Sequence, residues 1–236
     1  PTGHVYADEG TYTVKVTISD DGGAAAKTVS AAVVVTDADA FSGSVANFTP
    51  TEGTALASST VVAAFTDTGY TGQTAGDLTA TIDWGDGTAG NADITTALVT
   101  AGSTGGTFKV TDPTGHIYAD EGTYTVKVTL SDDGGAATKA VSASIIVTDA
   151  DAFSGSVANF TPVEGTALIS STVIATFTDT GYPGQTANDL TATIDWGDGT
   201  AGNADLTTAL VTAGTTAGTF KVTDPTGHIY ADEGTY

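Results

Sequence analysis

Carboxylates are the side chains of this sequence that recur densely enough to do chemistry. There are 28 Asp and Glu against six Lys and no Arg, a formal net charge of −22. The acids fall in short strings: Glu52 in a turn over 49–53, Asp86 in DWGDGT, Asp120 and Glu121 in YADEG, Asp149 and Asp151 in TDADA, and Asp179 in TDTG. Gathered in one crevice, such a set would repel itself unless protons or a cation neutralised it. Ca²⁺ takes about six to eight oxygen ligands in flexible geometry, so it fits better than Mg²⁺ or Zn²⁺. The plainer alternative is that each Asp caps its own turn and faces water. The sequence has no EF-hand loop and no calcium-binding nonapeptide repeat.

Other chemistry finds less support. His4, His116 and His228 supply one imidazole per period, with no partner at ligand spacing. Cys and Met are absent, which excludes disulfides, thiolate metal sites and cysteine nucleophiles. A Ser-His-Asp set is available in composition, but there is no GxSxG elbow. Asp132 and Asp133 are adjacent on one turn, so they lack the separation that glycosidase acid and base roles require. A Lys–Asn isopeptide staple needs a buried Lys, whereas Lys127 falls on an outward row. The expectation is that the chain is not an enzyme. Nucleic acid and anionic membrane surfaces are poor partners for so acidic a chain, because phosphate contacts need Lys and Arg. No apolar run approaches the roughly 20 residues that span a bilayer.

These acids repeat with the chain. The three His, and likewise Trp84 and Trp196, are spaced 112 residues apart. Segment 37–124 aligns without a gap on 149–236 and differs at nine positions, Thr51/Val163 and Ala57/Ile169 among them. A surface used many times over suits a spacer, a fibre or a multivalent binder. One period can bury its own core, since single domains commonly hold roughly 100–150 residues. The organisation read from the repeats is a C-terminal part of one copy over 1–38, carrying its last two strands, a complete copy over 39–150, and the early strands of a third over 151–236. Because 1–12 recur at 113–124 and 225–236, the chain reads as a slice of a longer array. Polymerisation by strand complementation would use the same phase, but one continuous long chain accounts for it more simply.

The elements that must position the acids are strands. In Thr123–Leu130, Tyr124, Val126, Val128 and Leu130 alternate with Thr and Lys, which puts one row on a core and the other in solvent. Leu78, Ala80, Ile82 and Trp84 form a second inward row, and Val61, Ala63 and Phe65 a third. Phe108 and Val110, residues 141–147, 44–49 and 92–99 supply four more strands, separated by Gly, Asp, Asn, Ser and Pro clusters. The fold class is therefore all-β: seven-stranded Ig-like sandwiches, one per period and arranged end to end. The linkers 36–40 and 148–152, both TDADA, are short and lack Gly and Pro, so neighbouring copies should be held close.

Three strings mark each period: DWGDGT from Asp83, HIYADEGTY from His116, and SDDGG from Ser131. Trp84 should plug the core, Asp86-Gly87 should form a tight turn in which Gly supplies positive φ, and Tyr124 stands where a tyrosine corner begins a strand. His116 and Tyr118 should brace that corner. In this order, Trp84-Gly85-Asp86-Gly87-Thr88, then His116-Ile117-Tyr118, then Gly122-Thr123-Tyr124-Thr125-Val126, the chain resembles the PKD-like repeats and related bacterial Ig-like repeats of large surface adhesins. The resemblance covers the second half of each period and implies an extracellular spacer domain.

An Ig-like strand order places Glu52, Asp86, Asp120, Glu121, Asp149 and Asp151 at one end of a copy, with Asp179 added by the next. Ca²⁺ is the one cofactor this suggests. The functional expectation is a repeat region of an extracellular stalk, adhesin shaft or filament at a bacterial surface or matrix. Its partners would be neighbouring repeats of the same chain or identical chains, with any cell-surface receptor engaged elsewhere in a larger protein. The alternative is a multivalent glycan binder, for which Tyr70 and Tyr182 are the candidate platform.

Overall fold

The structure is a computed structural model. It describes residues 3–23, 25–70, 72–87, 94–133, 137–182, 184–199 and 206–236. Thr88 of DWGDGT, Gly134 and Gly135 of SDDGG, and the first two residues of the 92–99 strand lie outside them. The described residues are all-β, with fourteen strands and no helix. They divide into two compact units.

The first unit comprises Pro1–Pro50, Ala55–His116 and Thr123–Ile146. It opens with an antiparallel hairpin of β1 (Gly10–Ile18) and β2 (Lys27–Val35). Seven strands follow: β3 (Phe41–Val45), β4 (Val61–Asp67), β5 (Leu78–Asp83), β6 (Ile94–Ala101), β7 (Thr107–Thr111), β8 (Gly122–Asp132) and β9 (Thr138–Val147). Their hydrogen-bonded order is β3-β4-β7-β6-β5-β8-β9. The β6 strand joins the two layers. Residues Ile94 to Ala97 pair with β5, whereas Leu98 to Ala101 pair with β7. This is the Ig-like β-sandwich that the strand pattern predicts.

The inward rows meet between the layers. Phe65, Ile82, Trp84, Phe108, Val110, Val126, Val128 and Leu130 are each at most 2% exposed. Full burial of such a side chain contributes about 1.5–3 kcal/mol. Two details differ from the sequence reading. A register shift between Val61 and Ala63 turns both Val62 and Ala63 inward, so the row is Val62, Ala63, Phe65. A bulge adds one residue to a strand and breaks its alternation. The first strand lies at 41–45 rather than 44–49. Its centre is Gly43, where a Cβ would collide with the Phe65 ring, so the row of Phe41 and Val45 is broken at the point where a core residue covers the strand.

The second unit comprises Thr51–Thr54, Ile117–Gly122 and Val147–Tyr236. Its strands are β10 (Phe153–Val157), β11 (Val173–Asp179), β12 (Ala192–Asp195), β13 (Leu206–Ala213) and β14 (Thr219–Thr223). They repeat the order of β3 to β7 as β10-β11-β14-β13-β12. Ile174, Ile194, Trp196, Val222 and Tyr230 form its core. In the same unit Thr51 pairs parallel with Thr148, the Glu52 N–H donates to the Thr148 carbonyl at 3.1 Å, and the Gly53 N–H donates to the Tyr118 carbonyl at 2.8 Å.

Candidate metal centre

Glu52 follows directly from that pairing. The bridge to Thr148 carries its side chain under the linker, and it is 1% exposed although it is a carboxylate. Its Oε1 accepts the Ala150 N–H at 2.7 Å, and its Oε2 has no hydrogen-bond partner. Around it, oxygens of Asp149 and Asp151 lie within 4.8 Å of one another and of a Glu52 oxygen, and a second set joins Glu52 with Asp120 and Glu121. Glu52 belongs to both sets. Five of the seven acids singled out from the sequence thus meet at one place.

Asp179 holds the linker on the far side of this group. Its Oδ1 accepts the N–H groups of Ala152 and Gly181, both at 2.8 Å, and its Oδ2 accepts that of Tyr182 at 3.2 Å. A Cβ on Gly181 would run into the Ala150 carbonyl oxygen, so only glycine lets the linker lie this close to the loop. Asp149 Oδ1 accepts the Asp151 N–H at 2.6 Å.

Charge crowding shows in the proton affinities. Burial, a hydrogen bond shared with Asp179 and the neighbouring charges of Asp179, Glu52 and Asp149 push the Asp151 carboxyl up to about 7. Burial acts in the same direction on Asp179, but three backbone N–H groups and the Asp151 proton overcome it and hold Asp179 below its usual range. A hydrogen bond from the protonated Glu121 carboxyl to Asp120 raises Glu121, assisted by burial and the charges of Asp120 and Glu52. Asp151 Oδ1 is a second buried oxygen without a partner.

The same loop–linker arrangement occurs one period earlier, inside the first unit. Asp67 Oδ1 accepts the N–H groups of Ala40 and Gly69 at 2.8 Å, and a Cβ on Gly69 would strike the Ala38 carbonyl oxygen. Burial and the charges of Asp67, Asp132 and Asp37 push Asp39 up to about 7. Here the group also contains Glu9, Asp132 and Asp133. Asp132 Oδ1 accepts the Gln73 amide at 2.6 Å, while Glu9 Oε1 and Asp39 Oδ2 are buried without partners. The acids of the β8–β9 turn therefore approach the YADEG acid of the preceding copy.

Asp86 has a different setting. Its Oδ2 lies 2.9 Å from His116 Nε2, and the His116 ring stacks on the Trp84 indole with centroids 4.4 Å apart and planes 5° from parallel. The second unit repeats this with Asp198, His228 and Trp196 at the same distances. Trp84 Nε1 donates to Thr95 Oγ1 at 3.1 Å, and Trp196 Nε1 donates to Thr207 Oγ1 at 3.0 Å. His116 thus braces the tryptophan and the DWGDG turn; in the flanking copies the equivalent His also reaches the corner through ring contacts, His4 to Tyr6 to Tyr12 and His228 to Tyr230 to Tyr236. Within that turn Gly85 takes the positive φ, 79°, because a Cβ there would meet the Thr125 carbonyl. The tyrosine corner is visible at the positions equivalent to Tyr124: the hydroxyls of Tyr12 and Tyr236 donate to the carbonyls of Asp8 and Asp232 at 3.0 Å. Tyr124 itself is half-buried at the start of β8, and Tyr118 is 1% exposed. Tyr70 and Tyr182 are also half-buried, and the Tyr182 ring lies against Gly53, where a Cβ would collide with it.

No family model matches the chain, and no curated protein matches it. Among solved structures, the chain is similar to extracellular cadherin domains of protocadherins. Protocadherin Gamma B2 extracellular cadherin domains 3-6 match at 19% identity over 90% of this chain and 48% of that chain, with a TM-score of 0.30. Domains 1-5 of the same protein match at 18% identity over 92% of this chain and 40% of that one, with a TM-score of 0.32. The protocadherin GammaB4 extracellular domain matches at 16% identity over 91% and 31%, with a TM-score of 0.30. The chain spans less than half the length of these structures.

Proposed function

We propose that this chain is the structural repeat region of an extracellular stalk, adhesin shaft or filament, whose copies are stiffened by Ca²⁺ bound where one copy passes into the next. The observation that carries the reading is Glu52 Oε2, a fully buried carboxylate oxygen without a partner amid four other carboxylates. A lone buried charge of this kind is costly unless it is paired or ligates a metal. The donors are all carboxylate oxygens, which suits a hard cation rather than a soft one.

Glu52, Asp120 and Glu121 would hold one side of the cation site, and Asp149 and Asp151 the other. Asp179 would keep the linker in place through its backbone bonds and share the charge of Asp151. The cation would supply positive charge and nothing else, replacing the proton that Asp151 otherwise retains near neutral pH. Two features support stiffness at the junction: each linker is clamped by an Asp of the following loop, and each lies on a glycine that admits no side chain. A bacterial surface or matrix is the setting that the composition and the PKD-like motifs suggest.

Thermal melting of the full chain in EDTA and in millimolar CaCl₂ tests this. A clear upward shift with Ca²⁺, reversed by chelation, is expected; identical melting in both would remove the calcium reading.

A further inference from the structure

The acids around Glu52 can share one ion only if the Glu52 turn and the linker are held together. Ligands ordered in advance bind more tightly, because less freedom is lost on binding. One tie is the bond from the Ala150 N–H to Glu52 Oε1. A single hydrogen bond still lets the turn pivot about it. The Tyr182 side chain supplies a second tie. Its ring lies against Gly53, the neighbour of Glu52, and a Cβ on Gly53 would collide with it. The ring also covers Gly184, where a Cβ would meet it as well. Glycine on both sides lets the ring fill the gap between the Glu52 turn and the loop after β11.

The posture of the ring is set by its own loop. The Tyr182 carbonyl accepts the Gln185 N–H at 3.1 Å, which folds Gly184 back under the ring. One period earlier the Tyr70 carbonyl accepts the Gln73 N–H at 3.3 Å, and a Cβ on Gly72 would meet the Tyr70 ring in the same way. The loop therefore presents the ring already oriented. The backbone of Tyr182 reaches the other side of the site. Its N–H donates to Asp179 Oδ2 at 3.2 Å, and Asp179 Oδ1 accepts the Ala152 N–H of the linker at 2.8 Å. One residue thus presses on the Glu52 turn with its ring and is bonded to the linker anchor through its main chain.

We infer that Tyr182 is a positioning residue of the cation site, a wedge whose ring fixes the Gly53 turn so that Glu52 and the linker acids stay together. The inference rests on the cation reading proposed above. It also gives Tyr182 a role other than the sugar platform considered from the sequence, since its ring is engaged within the chain. Gly53 is met by the ring carbons Cγ, Cδ2 and Cε2, so the wedge needs the ring and not the hydroxyl. Phenylalanine should therefore replace tyrosine here, and alanine should not.

Three forms of the full chain test this: the parent, Tyr182→Phe and Tyr182→Ala. Tyr182 is half-buried in a loop, so all three should share one circular dichroism spectrum. In calorimetric titration with CaCl₂, Tyr182→Phe should keep the parent affinity, while Tyr182→Ala should bind roughly ten-fold more weakly, the scale on which outer-shell partners of a metal act. A second readout is free of calcium. In EDTA the Ala150 N–H, bonded to Glu52, should exchange its hydrogen slowly in the parent and in Tyr182→Phe, and several-fold faster in Tyr182→Ala, because the turn opens more often. Parent-like affinity for CaCl₂ in Tyr182→Ala, or an unchanged Ala150 exchange rate, would overturn the inference and leave the cation reading standing. A parent chain that binds no Ca²⁺ would remove the cation reading itself, and this inference with it.

Discussion

Glu52 Oε1 accepts the N–H of Ala150 at 2.7 Å across 98 residues of sequence, and this bond leaves Oε2 buried and unpaired. A single carboxylate thus ties the first turn of a copy to its exit linker while keeping one oxygen for a ligand. The equivalent acids of the last copy, Glu164, Asp232 and Glu233, also converge but are exposed.

Glu52→Gln should keep the bond to Ala150 and remove the charge shared by both acid sets. Ca²⁺ affinity at the junction should fall by roughly ten-fold or more, on the scale seen when even outer-shell partners of a metal are removed. Calorimetric titration of the variant against the parent chain gives the number. Unchanged affinity would place the ligands elsewhere.

Asp39 and Asp151 give a signed pH response. Both carboxyls are held at about 7, above the usual value of 3.8, so the folded state binds their protons more tightly than the unfolded chain does. Their contribution to stability is full below about pH 4 and is lost as pH rises through about 7. In EDTA the melting temperature should fall from pH 5 to pH 8. With Ca²⁺ present that fall should shrink, and binding near pH 7 should release protons, measurable as a buffer-dependent heat.

The His116–Trp84 stack makes a separate, cation-independent prediction. His116→Ala loses the ring contact at 4.4 Å and leaves Asp86 beside a buried indole. A loss of about 1–3 kcal/mol is expected from the unpaired buried group. Trp84→Ala should cost about 3–5 kcal/mol. Denaturant unfolding followed by circular dichroism checks both, and neither loss should depend on Ca²⁺.

Gly181→Ala tests the linker clamp. The added Cβ must displace the Ala150 carbonyl, and with it the bond from Ala150 to Glu52. Calcium affinity should drop, while the stability measured in EDTA changes less than it does for Trp84→Ala.

The strand layout was legible because burial follows a period of two. Val126, Val128 and Leu130 stand out against Thr and Lys, and all three are buried. The early strand was misplaced because Gly43 lets Phe65 cover it, so its row of Phe41, Gly43 and Val45 is interrupted at the centre. The acids were legible as turn residues, and five of them meet. Asp86 could not be separated from them in sequence, because its partner His116 is 30 residues away. Glu9, Asp39 and Asp132 went unnamed at the earlier junction: Glu9 belongs to one copy and Asp132 to the next. The 112-residue repeat held the clue, since Glu9 and Asp39 are Glu121 and Asp151 one period earlier.

Carboxylates around Glu52 are proposed to hold a divalent cation. Calorimetric titration of chelator-stripped protein with CaCl₂ at pH 7.5, alongside MgCl₂, tests it most directly. Saturable Ca²⁺ binding near or tighter than the roughly 10⁻⁴–10⁻³ M range of extracellular calcium modules is expected, with weaker Mg²⁺ binding and loss of the heat in Glu52→Gln. Heats no larger than dilution across that range would contradict it.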